Sequence, residues 1–550
     1  MKVSLGWLKE LVEYNLTSQS LADKLSLNSI GVKELTNDYL ELDLTYNRGD
    51  LLSLRGVAQE IAAVTGSKLL FSLPGKVDSW AKDLPETPVI VVEKNLCPVY
   101  CVAKIEGLKV QPSDQVWDKK LSDSGIRSVN NIADVTNLVM LEYGQPMHAF
   151  DADKVVSQTL IVRTAKTDEE LVTLDNKKRK LSPEDLLIAD PGKVLGLAGV
   201  MGGKDSEVSE STTDILLEAA IFDPISNRNS SKRHGLYSEA SKRFQHGLTK
   251  TNLLKALQAA IKMYESLGGE LTAITLVGDL EDRPQKVNLS QSKLNELLGE
   301  DIDPKFVVSS LESLSFKVEK SGEGEWIVTP PYFRLDISIE EDLIEEVARM
   351  YGYEKIPSKE LKGKLPEKID QTLPNFIYDL KKVLSEAGLT EVQTYSFYSS
   401  KTINYLRLTI NDLVKVANPI SSETEFMRDN LWPNLLEVVA KNTRQGYRDI
   451  AIFEIGKVYH PKKGDSPCEA YRLSIALVNG TNNPTQELNQ IFQSLRLHLK
   501  EGKLKVKKYF HPVRFSSTLA EVHPRFVNKF GIEQRVAILE VELKSHSHPN

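Results

Sequence analysis

Two stretches rich in lysine and proline, residues 73–88 and 358–372, cut this 550-residue chain into pieces with different patterns. That division constrains the fold most, because a single apolar core stops growing beyond about 250–300 residues. Three or four domains are expected. Residues 1–75 read as short amphipathic helices around a strand. Leu40, Leu42 and Leu44 alternate with Glu41 and Asp43, and residues 54–64 turn to helical spacing after an Asn47–Asp50 turn. Residues 88–283 open on strands dense in Val and Ile, at 89–93 and 100–105, and close on an amphipathic helix at 253–266. Residues 287–357 make a small α+β unit, with helix starts at Ser290 and Asp303–Pro304 and a glycine hairpin at 321–325. Residues 370–550 carry helices at 374–386 and 431–443 and strands at 449–454 and 535–543. There is no internal repeat, and the fold class is α+β multidomain.

Composition excludes several classes. The chain is 41% hydrophobic and 26% charged with a net charge of −7, which argues against a protein that coats nucleic acid through bulk charge. Three cysteines cannot form a disulfide framework, so a reducing, cytoplasmic setting is expected. Cys97 and Cys101 lack a second Cys or His pair and read as strand residues rather than zinc ligands. No apolar run is long enough to cross a bilayer.

The segment from Asn229 to Gly247 gathers Ser238, Ala240 and Ser241 with Lys232, Arg233, Lys242, Arg243 and two histidines, His234 and His246, around a glycine turn. Small and hydroxyl residues can floor a pocket, and cations around it suit a phosphate-bearing ligand. A turn into a helix with a solvated basic face explains the same residues. Glu218 interrupts the apolar run D-I-L-L-E-A-A-I-F and must be satisfied by a donor, a cation or a ligand. His148 follows a Gly-Gln-Pro turn and is either structural or poised at a site. Asp336, Asp342, Glu345 and Glu346 cluster at a helix start. They fit either a Mg²⁺ site of hard oxygen donors or acids favoured by the helix dipole, with Ser338-x-x-Glu341 as a capping box. The stretch Ala198–Lys204 is no phosphate loop, since Ala198 stands where its first glycine belongs and Asp205 where Ser or Thr is needed.

Three motifs, G-Q-P-M-H-A-F-D, H-G-L-Y-S-E-A-S-K-R-F and F-R-L-D-I-S-I-E-E-D-L-I-E-E-V-A-R-M-Y-G-Y, occur in this order and together resemble the bacterial phenylalanyl-tRNA synthetase β subunit. The resemblance implies an N-terminal helical/strand domain (1–75) and a mixed α/β tRNA-editing domain (88–283). It further implies a small, winged-helix-like α+β domain (287–357) and a degenerate class II synthetase antiparallel-sheet module (370–550). In that module Arg448–Gly456 is similar to the second class II motif, while the ATP-clamping third motif is absent. Carried over by the resemblance, Glu218 would read the phenolic hydroxyl of tyrosine mischarged onto tRNA(Phe). His148 would lie at the pocket mouth near the terminal adenosine. Ser238 and Ala240 would form wall and floor, and Gly202 would allow close backbone approach. Asp336, Asp342, Glu345 and Glu346 would bind Mg²⁺ at the junction with an α subunit that binds ATP, in an assembly of two α and two β with tRNA(Phe) as substrate. Ser238 stands where the family usually has threonine, so the pocket should be slightly looser. An OB-fold insertion and a C-terminal anticodon-binding domain expected of the family are absent from this sequence. Two other functions fit the same residues: a noncatalytic scaffold with a decayed pocket, and a free-standing trans-editing hydrolase.

Overall fold

Every residue of the strand Ile215–Ile221 is buried, so both faces of the sheet that holds it must be covered. The computed structural model describes residues 1–71, 84–360, 363–364, 371–479, 483–500 and 517–543. Most of both expected linkers therefore falls outside the described residues. Two compact units emerge, residues 1–360 and 361–550, and their boundary falls within the second expected linker.

In the first unit, Ile215–Ile221 lies between Val99–Glu106 and Met147–Asp151, with Glu270–Gly278 at the far edge, all antiparallel. Alternation along the strand decides what each residue meets. Ile215, Leu217, Ala219 and Ile221 face the helices Asn131–Tyr143 and Lys250–Ser266. Leu216 and Ala220 face the other way, into a core shared with a second sheet ordered Met201–Gly202, Val194–Leu197, Leu186–Ala189, Leu160–Thr164 and Val89–Val91. Glu218 sits between them on that second face. Cys97 and Cys101 are free and buried; Cys101 is in the strand and Cys97 in the turn before it.

The N-terminal region is a three-stranded sheet with the helices Leu5–Leu11, Ser18–Asn28 and Leu54–Thr65 around one apolar cluster. Leu40 and Leu42 are buried within the strand Tyr39–Asp43, as their alternation predicts. Residues 36–38 alone join that strand to Gly31–Leu35, so no domain is inserted there. The small α+β region pairs Val287–Ser290 and Lys317–Gly322 with Glu325–Thr329 and adds three helices. Both expected helix starts hold: Ser290 Oγ accepts from Lys293 N, and Asp303 caps the helix that opens at Pro304.

The second unit is a five-stranded sheet in the order Thr390–Glu391, Ile450–His460, Cys468–Val478, Val536–Leu543, Ser517–Glu521, antiparallel except for the first pair. The helices Thr372–Glu386 and Pro484–Lys500 cover one face, and Trp432–Arg444 packs on the other. The helix Pro484–Lys500 was not among the expected elements, and the strand Ile450–His460 runs six residues beyond the expected end at 454.

Candidate functional site

Cross-strand register brings the first two candidate residues together, because Glu218 is paired with His148 on the neighbouring strand. Paired positions on one sheet face are neighbours, about 5 Å apart at Cβ. Glu218 has 7% of its surface exposed, and among the described residues no cation pairs with it. Its Oε2 accepts a hydrogen bond from the Tyr100 hydroxyl at 2.8 Å. Burial penalises the charged carboxylate and pushes its pKa up to about 7, with the Tyr100 bond pulling the other way. The buried Tyr100 hydroxyl is pushed well above its ordinary range, so it stays protonated and donates.

His148 stacks edge-on against Phe150 at 4.5 Å between ring centroids. Its Nε2 is buried without a hydrogen-bond partner, and burial drops its pKa to about 4. The ring is therefore neutral at physiological pH, with a buried Nε2 that no protein group bonds. Gly202 explains how the ring fits. A Cβ there would lie 2.7 Å from His148 Cε1 and 2.8 Å from Nε2, so only glycine lets the backbone approach.

Ser238 opens the helix Glu239–Phe244. Its hydroxyl accepts from Ser241 N at 3.0 Å and donates to the Val200 carbonyl at 2.7 Å, which ties the helix to the turn before Gly202. Ala240, half-buried, packs against the core that contains Tyr100, Phe150, Phe222 and Phe244. The five residues thus line one region between the two sheets. Tyr100 is the member that sequence reasoning missed. Its signal was available, since a tyrosine inside an otherwise apolar strand needs a partner for its hydroxyl.

The basic cluster turns out differently from the phosphate-binding expectation. Arg243 is 1% exposed; its Nε donates to the Leu52 carbonyl and its Nη1 to Glu239, while Nη2 is buried without a partner. Arg233 bonds Glu184 and Asp185, His234 Nε2 lies 2.7 Å from Asp185, and His246 Nδ1 is hydrogen-bonded to the Lys242 carbonyl. Proximity in sequence put these cations near one turn, but helix geometry aims most of them inward or at neighbouring acids.

The acidic set does not converge either. Arg334 grips Asp336 through two bonds of 2.8 and 2.7 Å and Glu346 through two of 2.6 and 2.9 Å, so all four carboxylate oxygens already accept from a guanidinium. Asp342 instead accepts from the backbone N–H groups of Ser338 and Ile339. The capping box expected at Ser338 and Glu341 therefore does not form: Asp342 reaches back to the Ile339 N–H, and the isoleucine side chain cannot accept in return. Glu345 is exposed. Among the described residues no group of three or more His, Cys, Asp or Glu could hold a metal ion. The residues present do not fit Mg²⁺; Arg334 stands where the cation would.

Asp336 and Glu346 form instead part of a buried ionic chain, Asp50–Arg48–Glu60–Arg349–Glu346–Arg334–Asp336, with every side chain at most 8% exposed. Burial alone would raise the Glu346 carboxyl, but Arg334 and Arg349 hold it well below the usual range. Glu60, caught between Arg349 and Arg48, is held down to about 2. The chain joins the helix Leu54–Thr65 to the helix Glu340–Tyr351. In the second unit, Arg448 is exposed and lies ahead of its strand, while Glu454 pairs with Arg428 at 2.8 Å.

Three family models match in this order: the B3/4 domain over residues 96–269, the tRNA synthetase B5 domain over 287–353 and the phenylalanyl tRNA synthetase beta chain CLM domain over 356–543. The phenylalanine–tRNA ligase beta subunit of Moorella thermoacetica is 35% identical over 550 residues, covering 93% of this chain and 67% of its own length. That of Geobacter metallireducens is 33% identical, covering 94% of this chain and 68% of its own. This chain belongs to the phenylalanine–tRNA ligase β-subunit family. The Carboxydothermus hydrogenoformans β subunit is 39% identical over 452 residues, with 80% of this chain and 55% of the relative covered. The chain thus spans about half to two-thirds of the length of these β subunits. All five candidate residues lie within the B3/4 match, and the ionic chain's Arg334, Asp336, Glu346 and Arg349 lie within the B5 match. No helix among the described residues is long and apolar enough to cross a membrane.

Proposed function

We propose that this chain serves as the β subunit of a phenylalanine–tRNA ligase of two α and two β subunits, and that its B3/4 region hydrolyses tyrosine mischarged onto tRNA(Phe). Charging, with ATP and its Mg²⁺, would fall to the α subunit in the cytoplasm. The small region at 287–353 would act as a winged-helix-like joint, and the sheet of the second unit as a degenerate class II module. One observation carries the hydrolytic reading: Glu218 is buried beside His148 with a single neutral donor and no cation. A carboxyl so placed has acceptor capacity left for a second hydroxyl.

Tyrosine's phenol would complete that hydrogen-bonding, whereas phenylalanine would leave the buried acceptor facing a bare ring edge. Sites that hydrogen-bond a substrate hydroxyl reject the analogue without it by about 10⁴–10⁵. Tyr100 fixes one oxygen of Glu218 and cannot itself ionise, so it orients the carboxyl for the substrate. His148, neutral, would hold a water or the terminal ribose hydroxyl on Nε2 near the ester, with Gly202 keeping the ring in place. Ser238 is committed to the backbone on both sides and would shape the wall without entering the chemistry.

The test is deacylation by the assembled α–β complex, with Tyr-tRNA(Phe) and Phe-tRNA(Phe) compared. Rapid loss of tyrosine with phenylalanine retained is expected. Equal, negligible rates for both esters would leave a scaffold subunit, and full activity without α would favour a free-standing hydrolase.

A further inference from the structure

A second cavity, of about 250 Å³, lies in the first unit where the N-terminal region, the helix Lys250–Ser266 and residues 332–336 meet. None of the five candidate residues lines it. Lys255, Gln258, Ala259 and Lys262 do, and their spacing of three, four and seven turns one helix face toward it. The remaining wall includes Gln59, from the helix Leu54–Thr65, and the rings of Tyr332 and Phe333, set edge to face at 5.3 Å between centroids.

The charges of this cavity suit an anion. Asp50 and Asp336, the two ends of the buried ionic chain, both line it, but Arg48 and Arg334 each bond both oxygens of their partner. A cation would therefore find no free carboxylate oxygen here. Four acids and three arginines leave the ionic chain one charge negative, and Lys255 and Lys262 outweigh it. Among the described residues neither lysine has an ion pair, and Lys255 is half-buried. Arg55 adds a third cation. It lies over the Tyr143 ring at 3.9 Å and the Phe71 ring at 4.6 Å, held by Nε and Nη2 bonds to Glu142. Two ammonium groups on one helix face match a phosphate, whose near-double negative charge one lysine alone would leave half neutralised.

The polar groups of the other wall are unengaged. Among the described residues no protein group bonds the amides of Gln59 and Gln258 or the hydroxyl of Tyr332. Burial pushes that hydroxyl above its ordinary range, so it stays protonated and can donate. A side-chain amide presents donor and acceptor side by side, the arrangement with which Asn and Gln read the N6/N7 edge of adenine. Pockets for small organic ligands run to about 300–1,000 Å³, so this one takes no more than a single nucleotide. We propose that the cavity binds an adenine nucleoside 5′-monophosphate. Lys255 and Lys262 hold its phosphate, Gln59 pairs with the base edge, and the corner made by Tyr332 and Phe333 packs on the base. Glu218 and His148 take no part, so this site stands or falls apart from the hydrolytic reading.

The probe is AMP, titrated by calorimetry into the full chain without an α subunit, beside adenosine and inorganic phosphate. AMP should bind one to one, with adenosine and phosphate each weaker by about tenfold or more, since each lacks a charged or a base-edge contact. Lys255→Ala should weaken AMP about 10- to 150-fold, the range for one lost contact with a charged group. It should leave the melting temperature of the unliganded chain unchanged, because the lysine has no ion pair to lose. Gln59→Leu should weaken AMP while leaving phosphate binding as it is. Ala259→Trp, which fills the space between the two lysines, should abolish AMP binding with the circular dichroism of the chain retained. No saturable heat up to about 10 mM AMP would overturn the proposal. So would AMP binding unchanged in both Lys255→Ala and Ala259→Trp, which would put the nucleotide elsewhere. Phosphate alone binding as tightly as AMP would reduce the site to an anion patch and overturn it equally.

Discussion

Replacing Glu218 with glutamine isolates the electrostatics of the pocket. The folded chain holds the Glu218 proton up to about pH 7, whereas an ordinary glutamate loses it near 4.5. The folded state therefore binds more protons than the unfolded chain across that window, and stability falls as pH rises through it. His148 does the opposite. Its folded value of about 4 lies below the ordinary 6.5, so stability rises with pH between 4 and 6.5. Each window is about 2.5 pH units wide and worth about 3 kcal/mol, at about 1.36 kcal/mol per unit. In the wild type the two nearly cancel. Glu218→Gln keeps an acceptor for the Tyr100 hydroxyl and removes the first window alone. The stability difference between variant and wild type should thus shift by about 3 kcal/mol in the variant's favour from pH 4.5 to 7.5. At about 2.1 cal/mol/K per residue, that is a shift of about 4 °C for a unit of 360 residues melting together. Calorimetry at pH 4.5, 6 and 7.5 reads it directly. A difference independent of pH would refute the placement of Glu218 as a buried, unpaired carboxyl. Tyr100→Phe removes the bond that lowers Glu218, and should carry the upper end of the window above pH 7.

Arg334→Met strands Asp336 in a buried position and takes one of two cations from Glu346, which should destabilise the first unit by about 3–5 kcal/mol. EDTA should leave the wild-type melting temperature unchanged; a drop that Mg²⁺ reverses would restore the metal reading. Gly202→Ala forces a methyl into the His148 ring and should abolish Tyr-tRNA(Phe) hydrolysis with the fold intact by circular dichroism. Retained hydrolysis would show that His148 is not held there. Ala240→Trp should fill the pocket and stop hydrolysis while phenylalanine charging by the complex continues, whereas parallel loss of charging would mark the position as structural.

Local signals carried much of the architecture. The Leu40–Leu44 alternation, the caps at Ser290 and Asp303, and the spacing of residues 253–266 each report a neighbourhood of a few residues, and each matches the structure. Glu218 was legible for a related reason, since an acid in an apolar run is conspicuous before its partner is known. What stayed hidden needed contacts far apart in sequence. Arg334 closes on Glu346 twelve positions later, and Arg349 reaches Glu60 from 289 positions away. Carboxylate spacing on a helix face cannot tell whether the cation between two acids is a metal or a guanidinium. The cations around Gly235 misled in the same way, because Asp185, nearly fifty residues upstream, takes up Arg233 and His234. The helix Pro484–Lys500 was missed although its residues are amphipathic, for want of a clear start between two strands.

Discrimination between the two esters turns on whether a lone buried acceptor distinguishes a hydroxylated ring from a plain one. Measuring deacylation of Tyr-tRNA(Phe) and Phe-tRNA(Phe) by the α–β complex, wild type against Glu218→Ala, asks this most directly. Wild type should clear the tyrosyl ester at least a hundredfold faster than the phenylalanyl ester, and the alanine variant should bring the two rates together by slowing the first. A variant that keeps the wild-type preference would show that the choice is made elsewhere.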